Sequence, residues 1–406
     1  MGAPSRGQPP GGLELRCMAG RYLALLFSLA VLPASAQLPA SGKLADSDWP
    51  LFRAEVARVE KLLSSASDRA TVTYQMARTW ASAKQWPETM QWLQKVAGLR
   101  AGLDPSRDSI FTELRGTRDF EAILAAVSEA TPVVSHSSSA FTVPEGDLIP
   151  ESVAFDPKSK HFYFGSMNKG KVVRCSMSGD CTRFASGLGV VLGLKVHGNS
   201  LWLLSNSDNE SALIQYDLAS ARVVRKYPVT GAGHNFNDLV IAPAGNVYLT
   251  DTRAGVVWHL ATGSSDLTRL PERFEFANGI AISPDGRFLY VSTFPDGISV
   301  VDLPTHIAAP IARPADLCLA TIDGLYFYRG ALVAIQNGFM TPRVVRFTLT
   351  RDLRAIERFD VLERRNPLFE GVTTGVVVGG EFFYMANIQD DKKTAFNPIT
   401  ILKLHL

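Results

Sequence analysis

The chain has 406 residues, 46% apolar and 20% charged, with a formal net charge of +2. That length and balance suit a soluble globular protein large enough for two domains. The near-neutral charge offers no electrostatic footprint for nucleic acid, and a local cluster such as Arg351, Arg354, Arg358, Arg364 and Arg365 reads as a solvated face.

In chain order, residues 1–20 are rich in Gly, Pro and Arg, and an apolar run over 22–32 follows Arg16 and Arg21. Ala34-Ser35-Ala36 comes next. A basic flank, a short apolar run and an Ala-x-Ala site predict a secretory signal peptide over 1–36, cleaved before Gln37. The protein is then exported, to the periplasm or the medium, with no membrane span after cleavage. The run is short for a span; an uncleaved anchor is the alternative, and Met18 is an alternative start.

Residues 46–130 have a helical texture. Phe52, Val56, Val59, Leu62 and Leu63 recur at helical spacing, as do Tyr74, Ala77, Trp80 and Ala81, and then Met90, Leu93, Val96 and Leu99 after Trp86-Pro87. The rhythm resembles a tetratricopeptide repeat, with Phe111–Arg115 and Phe120–Leu124 as closing helices. One repeat and part of another cannot bury their own apolar faces. The segment is therefore expected to pack on the rest of the chain or on a protein partner, with its Trp residues as helix core. A polar linker follows over 131–139, and 140–406 form the second domain.

That second domain repeats itself. Six units of polar lead-in, short apolar strand, Gly turn and second apolar strand begin at Glu151, Leu192, Asn237, Asn278, Asp323 and Thr374. Repeats of about 40–50 residues built from short strands and Gly turns predict β-propeller blades; a sandwich with evenly spaced turns is the alternative. The fold class is thus mostly β, a six-bladed β-propeller behind a small N-terminal all-α domain. The strand at Ala140–Val143 is expected to close the ring beside the C-terminal Ile399–Leu404.

Of the four cysteines, Cys17 falls in the segment to be removed and Cys318 reads as a small buried apolar residue. Cys175 and Cys181 flank a turn-like stretch. Facing strands of a hairpin would bring them within disulfide reach, and export favours the bond, but spacing alone leaves the pairing open. No cysteine spacing suggests zinc.

The first residue of each unit faces the central channel. Glu151, Asn237, Asn278 and Asp323, with Asp238 next to Asn237, bring oxygen donors toward one axis. Carboxylates held close together repel, and a hard cation removes that penalty.

Pro150-Glu151-Ser152, Phe236-Asn237-Asp238, Ala277-Asn278-Gly279 with Ser283-Pro284-Asp285-Gly286, and Asp323-Gly324-Leu325 together resemble the SMP-30/gluconolactonase family of six-bladed propellers, with paraoxonase as a more distant relative. The resemblance covers about two-thirds of the chain. It implies a divalent cation, calcium, held by Glu151, Asn237, Asn278 and Asp323, with Asn237 free to orient substrate instead. It further implies a lactonase or related esterase acting on a small-molecule lactone or ester, with Asp323 or Asp238 as proton acceptor. This chain departs from the family where members often carry an Arg before the Asn-Asp pair to grip a sugar acid: here stand His234 and Asn235. His234 is a candidate base or a loop histidine. Asn235 and Glu370 are candidate substrate contacts near the cavity mouth. The competing reading is a non-catalytic propeller that binds a ligand or protein around a structural metal; a strictosidine-synthase-like propeller would lack the acidic cage.

Overall fold

The computed structural model describes residues 48–65, 68–388 and 395–406. The expected signal peptide lies outside the described residues. Among the described residues, no helix is long and apolar enough to cross a membrane.

Four α-helices come first: α1 (Trp49–Ser65), α2 (Arg69–Ser82), α3 (Trp86–Gly98) and α4 (Arg118–Ala130). Local chemistry fixes their ends. The Asp68 carboxylate caps α2 by accepting from Thr71 N at 2.9 Å, satisfying a donor that the first turn leaves orphaned. Pro87 sits in the first turn of α3, where its missing N–H costs nothing. Asp119 and Glu121 in the first turn of α4 complement the helix dipole. The apolar faces of α2, α3 and α4 pack on the propeller. Tyr74, Ala77, Leu93, Phe111, Phe120 and Ile123 form one cluster with Phe294, Cys318, Ala320, Phe339 and Met340 of the second domain. Trp80, Trp86 and Trp92 are half-buried at the edges of the helical clusters.

The second domain is a ring of six four-stranded antiparallel sheets. The innermost strands are Val153–Asp156, Val190–His197, Phe236–Ile241, Ile280–Ile282, Ile322–Tyr328 and Gly375–Val378. Each touches the next, and the sixth touches the first, so the ring closes and these strands line the axis. Val, Ile, Leu and aromatic residues fill the space between sheets, because both faces of each blade are buried against neighbours. The last blade is composite. Ser138–Val143 pairs antiparallel with Ile399–His405, which pairs with Glu381–Met385, so the two ends of the domain are hydrogen-bonded together as expected. This strand starts at Ser138, within the stretch read as linker, and the residues before it are pinned too. Val134 exchanges two backbone bonds with Arg364, and Ser137 Oγ and N both donate to the buried Glu363.

Cys175 and Cys181 are directly opposite each other on facing strands and are joined by a disulfide, with Cα atoms 4.1 Å apart.

Candidate functional site

Three inner strands break register where the site residues lie. Pairing jumps from Val191 to Leu194, from Phe236 to Leu239 and from Ile322 to Leu325. The skipped pairs are Leu192-Gly193, Asn237-Asp238 and Asp323-Gly324. Leaving the ladder bends a strand and re-aims its side chains. Glycine beside these positions lets the inner strands approach: a Cβ on Gly279 would stand 2.4 Å from the Asp323 carbonyl oxygen.

Glu151, Asn278 and Asp323, from three blades, line one axial pocket of about 570 Å³, open solvent at its mouth included. Asn337 and Thr373 join them, and Phe276, Thr293 and Phe294 are also among the lining residues. Asn337 Nδ2 donates to Asp323 Oδ2 at 2.7 Å and to Val372 O at 2.9 Å. Burial, and then the Asp323 charge, hold the Glu151 carboxyl well above the usual carboxylate range. Burial pushes Asp323 up to about 6, against hydrogen bonds from Asn337 and Asn278 and with the Asp238 charge adding to the rise. Two further side chains in this pocket lack partners: the buried Thr293 and Thr373 hydroxyls make no hydrogen bond to the described protein. Buried hydroxyls are ordinarily satisfied, so these two are exceptions.

The donor set fits a hard cation. It comprises two buried carboxylates with no cationic side chain among the lining residues, plus amide oxygens. Among the described residues, no three His, Cys, Asp or Glu side chains form a metal-holding group; the carboxylates here number two and the other donors are amides.

The remaining sequence candidates are placed as follows. Asp238 is buried and already engaged. Its Oδ1 accepts from Leu239 N at 2.8 Å and lies 3.6 Å from Lys195 Nζ, and Lys195 stands 5.3 Å from the Tyr326 ring centroid. Asn237 donates through Nδ2 to Thr252 Oγ1 at 3.0 Å. His234 Nδ1 is 2.6 Å from Oδ2 of the fully buried Asp251, which also accepts from Asn235 N, Ala254 N and Trp258 Nε1. Glu370 is exposed, with its backbone N bonded to Ala386 O. None of Asp238, Asn237, Asn235, His234 and Glu370 is among the residues lining the axial pocket.

Asn337, Thr293, Thr373 and Lys195 were not singled out from sequence. For the first two a signal exists: a polar residue stands at or within two residues of the end of the second strand in several units, namely Asn206, Thr252, Thr293, Asn337 and Asn387.

The description "SMP-30/Gluconolactonase/LRE-like region" belongs to a family whose sequence model matches residues 149–316. No curated protein matches the chain. Solved structures of similar shape include a gluconolactonase from Xanthomonas campestris (15% identity, covering 68% of this chain and 98% of that one, TM-score 0.47). Regucalcin from Agrobacterium tumefaciens, described as a calcium-binding protein, is 17% identical over 67% of this chain and 93% of its own, with TM-score 0.49. The PQQ-bound aldose sugar dehydrogenase of Streptomyces coelicolor is 14% identical over 68% and 99%, with TM-score 0.49.

Proposed function

We propose that this propeller, which carries an SMP-30/gluconolactonase/LRE-like region, is a metal-dependent hydrolase of lactones or related esters. One observation carries the reading: Glu151 and Asp323 reach one pocket from different blades, and burial raises both pKa values. Folding gathers two anions at a cost that a bound cation removes.

Glu151, Asn278 and Asp323 would hold the cation, calcium by the hardness of its donors. When bound, it supplies Lewis-acid polarisation of an ester carbonyl. The chain's own residues do the rest. Thr293 and Thr373 lie among the lining residues and carry hydroxyls without a protein partner. Asn337 fixes the Asp323 carboxylate through its 2.7 Å bond, so that group is preorganised before substrate arrives. Phe276 and Phe294 exclude water from one side. Hydrolysis joins a water oxygen to the carbonyl carbon and breaks the acyl C–O bond, with a proton passing to the leaving alkoxide; no redox partner is needed.

Export belongs to the same proposal. The Arg-flanked apolar run ending in Ala34-Ser35-Ala36 supports it, as does the Cys175–Cys181 disulfide, a bond typical of oxidising compartments. A panel of lactones and aryl esters, assayed on purified protein with and without chelator, tests the reading. Turnover that chelator abolishes is the expected result. Absence of turnover across the panel, or turnover indifferent to chelator, contradicts it.

A further inference from the structure

Phe294 belongs to two structures at once. It lines the axial pocket together with Asp323, and it is a member of the apolar cluster that the helical segment forms with the propeller. Phe276 is shared in the same way. The mechanical chain behind them is short. Tyr74 of α2, fully buried, stacks on Phe339 with centroids 4.5 Å apart. Phe339 meets Phe294 edge-on at 6.1 Å. Backbone bonds reinforce the stack: Asp104 N donates to Phe339 O at 2.7 Å, and Thr341 N to Gly102 O at 2.8 Å. Arg107 Nε donates at 2.9 Å to the carbonyl of Gly338, itself a pocket-lining residue. The helical segment is thus the backing of one pocket wall.

The lining of that pocket is of two kinds: Glu151, Asp323, Asn278 and Asn337 are polar, and Phe276, Phe294 and Ile322 are apolar. Among the described lining residues none is Lys, Arg or His. The pocket therefore has no side chain to pair with a substrate carboxylate. An apolar wall, by contrast, rewards hydrocarbon.

We propose that the helical segment is part of the recognition site, and that through Tyr74 and Phe339 it holds Phe294 and Phe276 as a wall selecting neutral lactones or esters with an apolar chain or ring. This rests on the hydrolytic reading of the pocket. Tyr74 is a positioning residue; Phe276 and Phe294 determine specificity.

The test compares γ-lactones bearing short and long alkyl chains with one bearing a carboxylate on a chain of matched length. For the wild type, kcat/KM rises roughly fourfold per CH₂ taken up by the wall, the equivalent of the transfer free energy of a buried methylene. The carboxylate-bearing lactone is turned over at least about tenfold less well than its neutral counterpart, because its charge is desolvated against apolar lining with no side chain to pair with it. Tyr74→Ala lowers the long-to-short ratio by roughly tenfold, chiefly through KM, and leaves calcium affinity unchanged; Tyr74→Phe, which keeps the ring, restores the ratio. Because Tyr74→Ala removes a fully buried ring, Phe276→Ala, at a half-buried position, is measured in parallel and lowers the same ratio. Wild-type turnover that ignores chain length, or that favours the carboxylate-bearing lactone, overturns the inference while leaving the hydrolase intact. No turnover of any lactone or ester removes both.

Discussion

The ring of Tyr74, on α2, lies parallel to the ring of Phe339, on the fifth blade, with 4.5 Å between centroids and 13° between planes. The Tyr74 hydroxyl donates to Asp108 Oδ2 at 3.2 Å, and Arg78 Nη1 lies 3.3 Å from the same oxygen. Helical segment and propeller therefore share a core, and should unfold together. Tyr74→Ala is expected to cost about 3–5 kcal/mol, as for other buried rings truncated to alanine, and Tyr74→Phe about 1 kcal/mol for the lost hydrogen bond. Chemical denaturation followed by circular dichroism checks this. Two separate transitions in the wild type would show that the shared core does not couple the two parts.

The unpaired hydroxyls make a prediction of opposite sign for stability and activity. Thr373→Val replaces a buried, unpartnered hydroxyl with a methyl group of similar shape. It should raise stability by about 1 kcal/mol, since an unsatisfied buried polar group is costly. If that hydroxyl bonds substrate, the same change should raise KM by about tenfold, the equivalent of one lost hydrogen bond. Thermal melting and lactone kinetics on one preparation give both values.

His234 is held by Asp251 at 2.6 Å and stands outside the residues lining the pocket. A general base is worth roughly 10²–10⁴ in rate. His234→Gln is expected to reduce kcat by less than about tenfold, well short of that range. A loss of a hundredfold or more, with a pH profile that flattens on the acid limb, would instead make His234 the proton acceptor.

Cys318 is fully enclosed, 3.6 Å from Thr71 Oγ1. Burial pushes its thiol up to about 12, and the thiolate is the reactive form. A thiol-alkylating reagent at pH 8 should leave the native protein unmodified at this position and react fully after denaturation. Mass spectrometry of the labelled peptide decides between the two.

Six phased units made the propeller legible in the sequence, because each blade repeats the same strand and turn chemistry. Ring closure through Ser138–Val143 was legible for the same reason: a strand was left over at each end. Glu151, Asn278 and Asp323 could be found because they open their units, and unit-opening residues face the axis. Thr293 ends a second strand and Asn337 directly follows one, a place where the repeat is polar but variable, so no single motif marks them. Thr373 and Phe276 lie in connections outside the repeat pattern. Lys195 was hidden by alternation. Counting strictly by twos from the unit start at Leu192 gives Lys195 the opposite side, but the register break between Val191 and Leu194 shifts that count, and Lys195 lies 3.6 Å from Asp238. The docking of the helices was legible as a need to bury apolar faces; the surface chosen was not, since Phe294, Phe339 and Met340 look like ordinary blade residues in sequence.

The central claim is that Glu151 and Asp323 form a cation site on the propeller axis. Calorimetric titration of calcium into chelator-stripped protein tests it most directly, with Asp323→Asn as the comparison. The wild type should bind one ion, with affinity at least about a hundredfold above that of the variant, a difference of about 2.7 kcal/mol. A wild type that takes up no calcium, or a variant that binds it equally well, would contradict the claim and the hydrolase built on it.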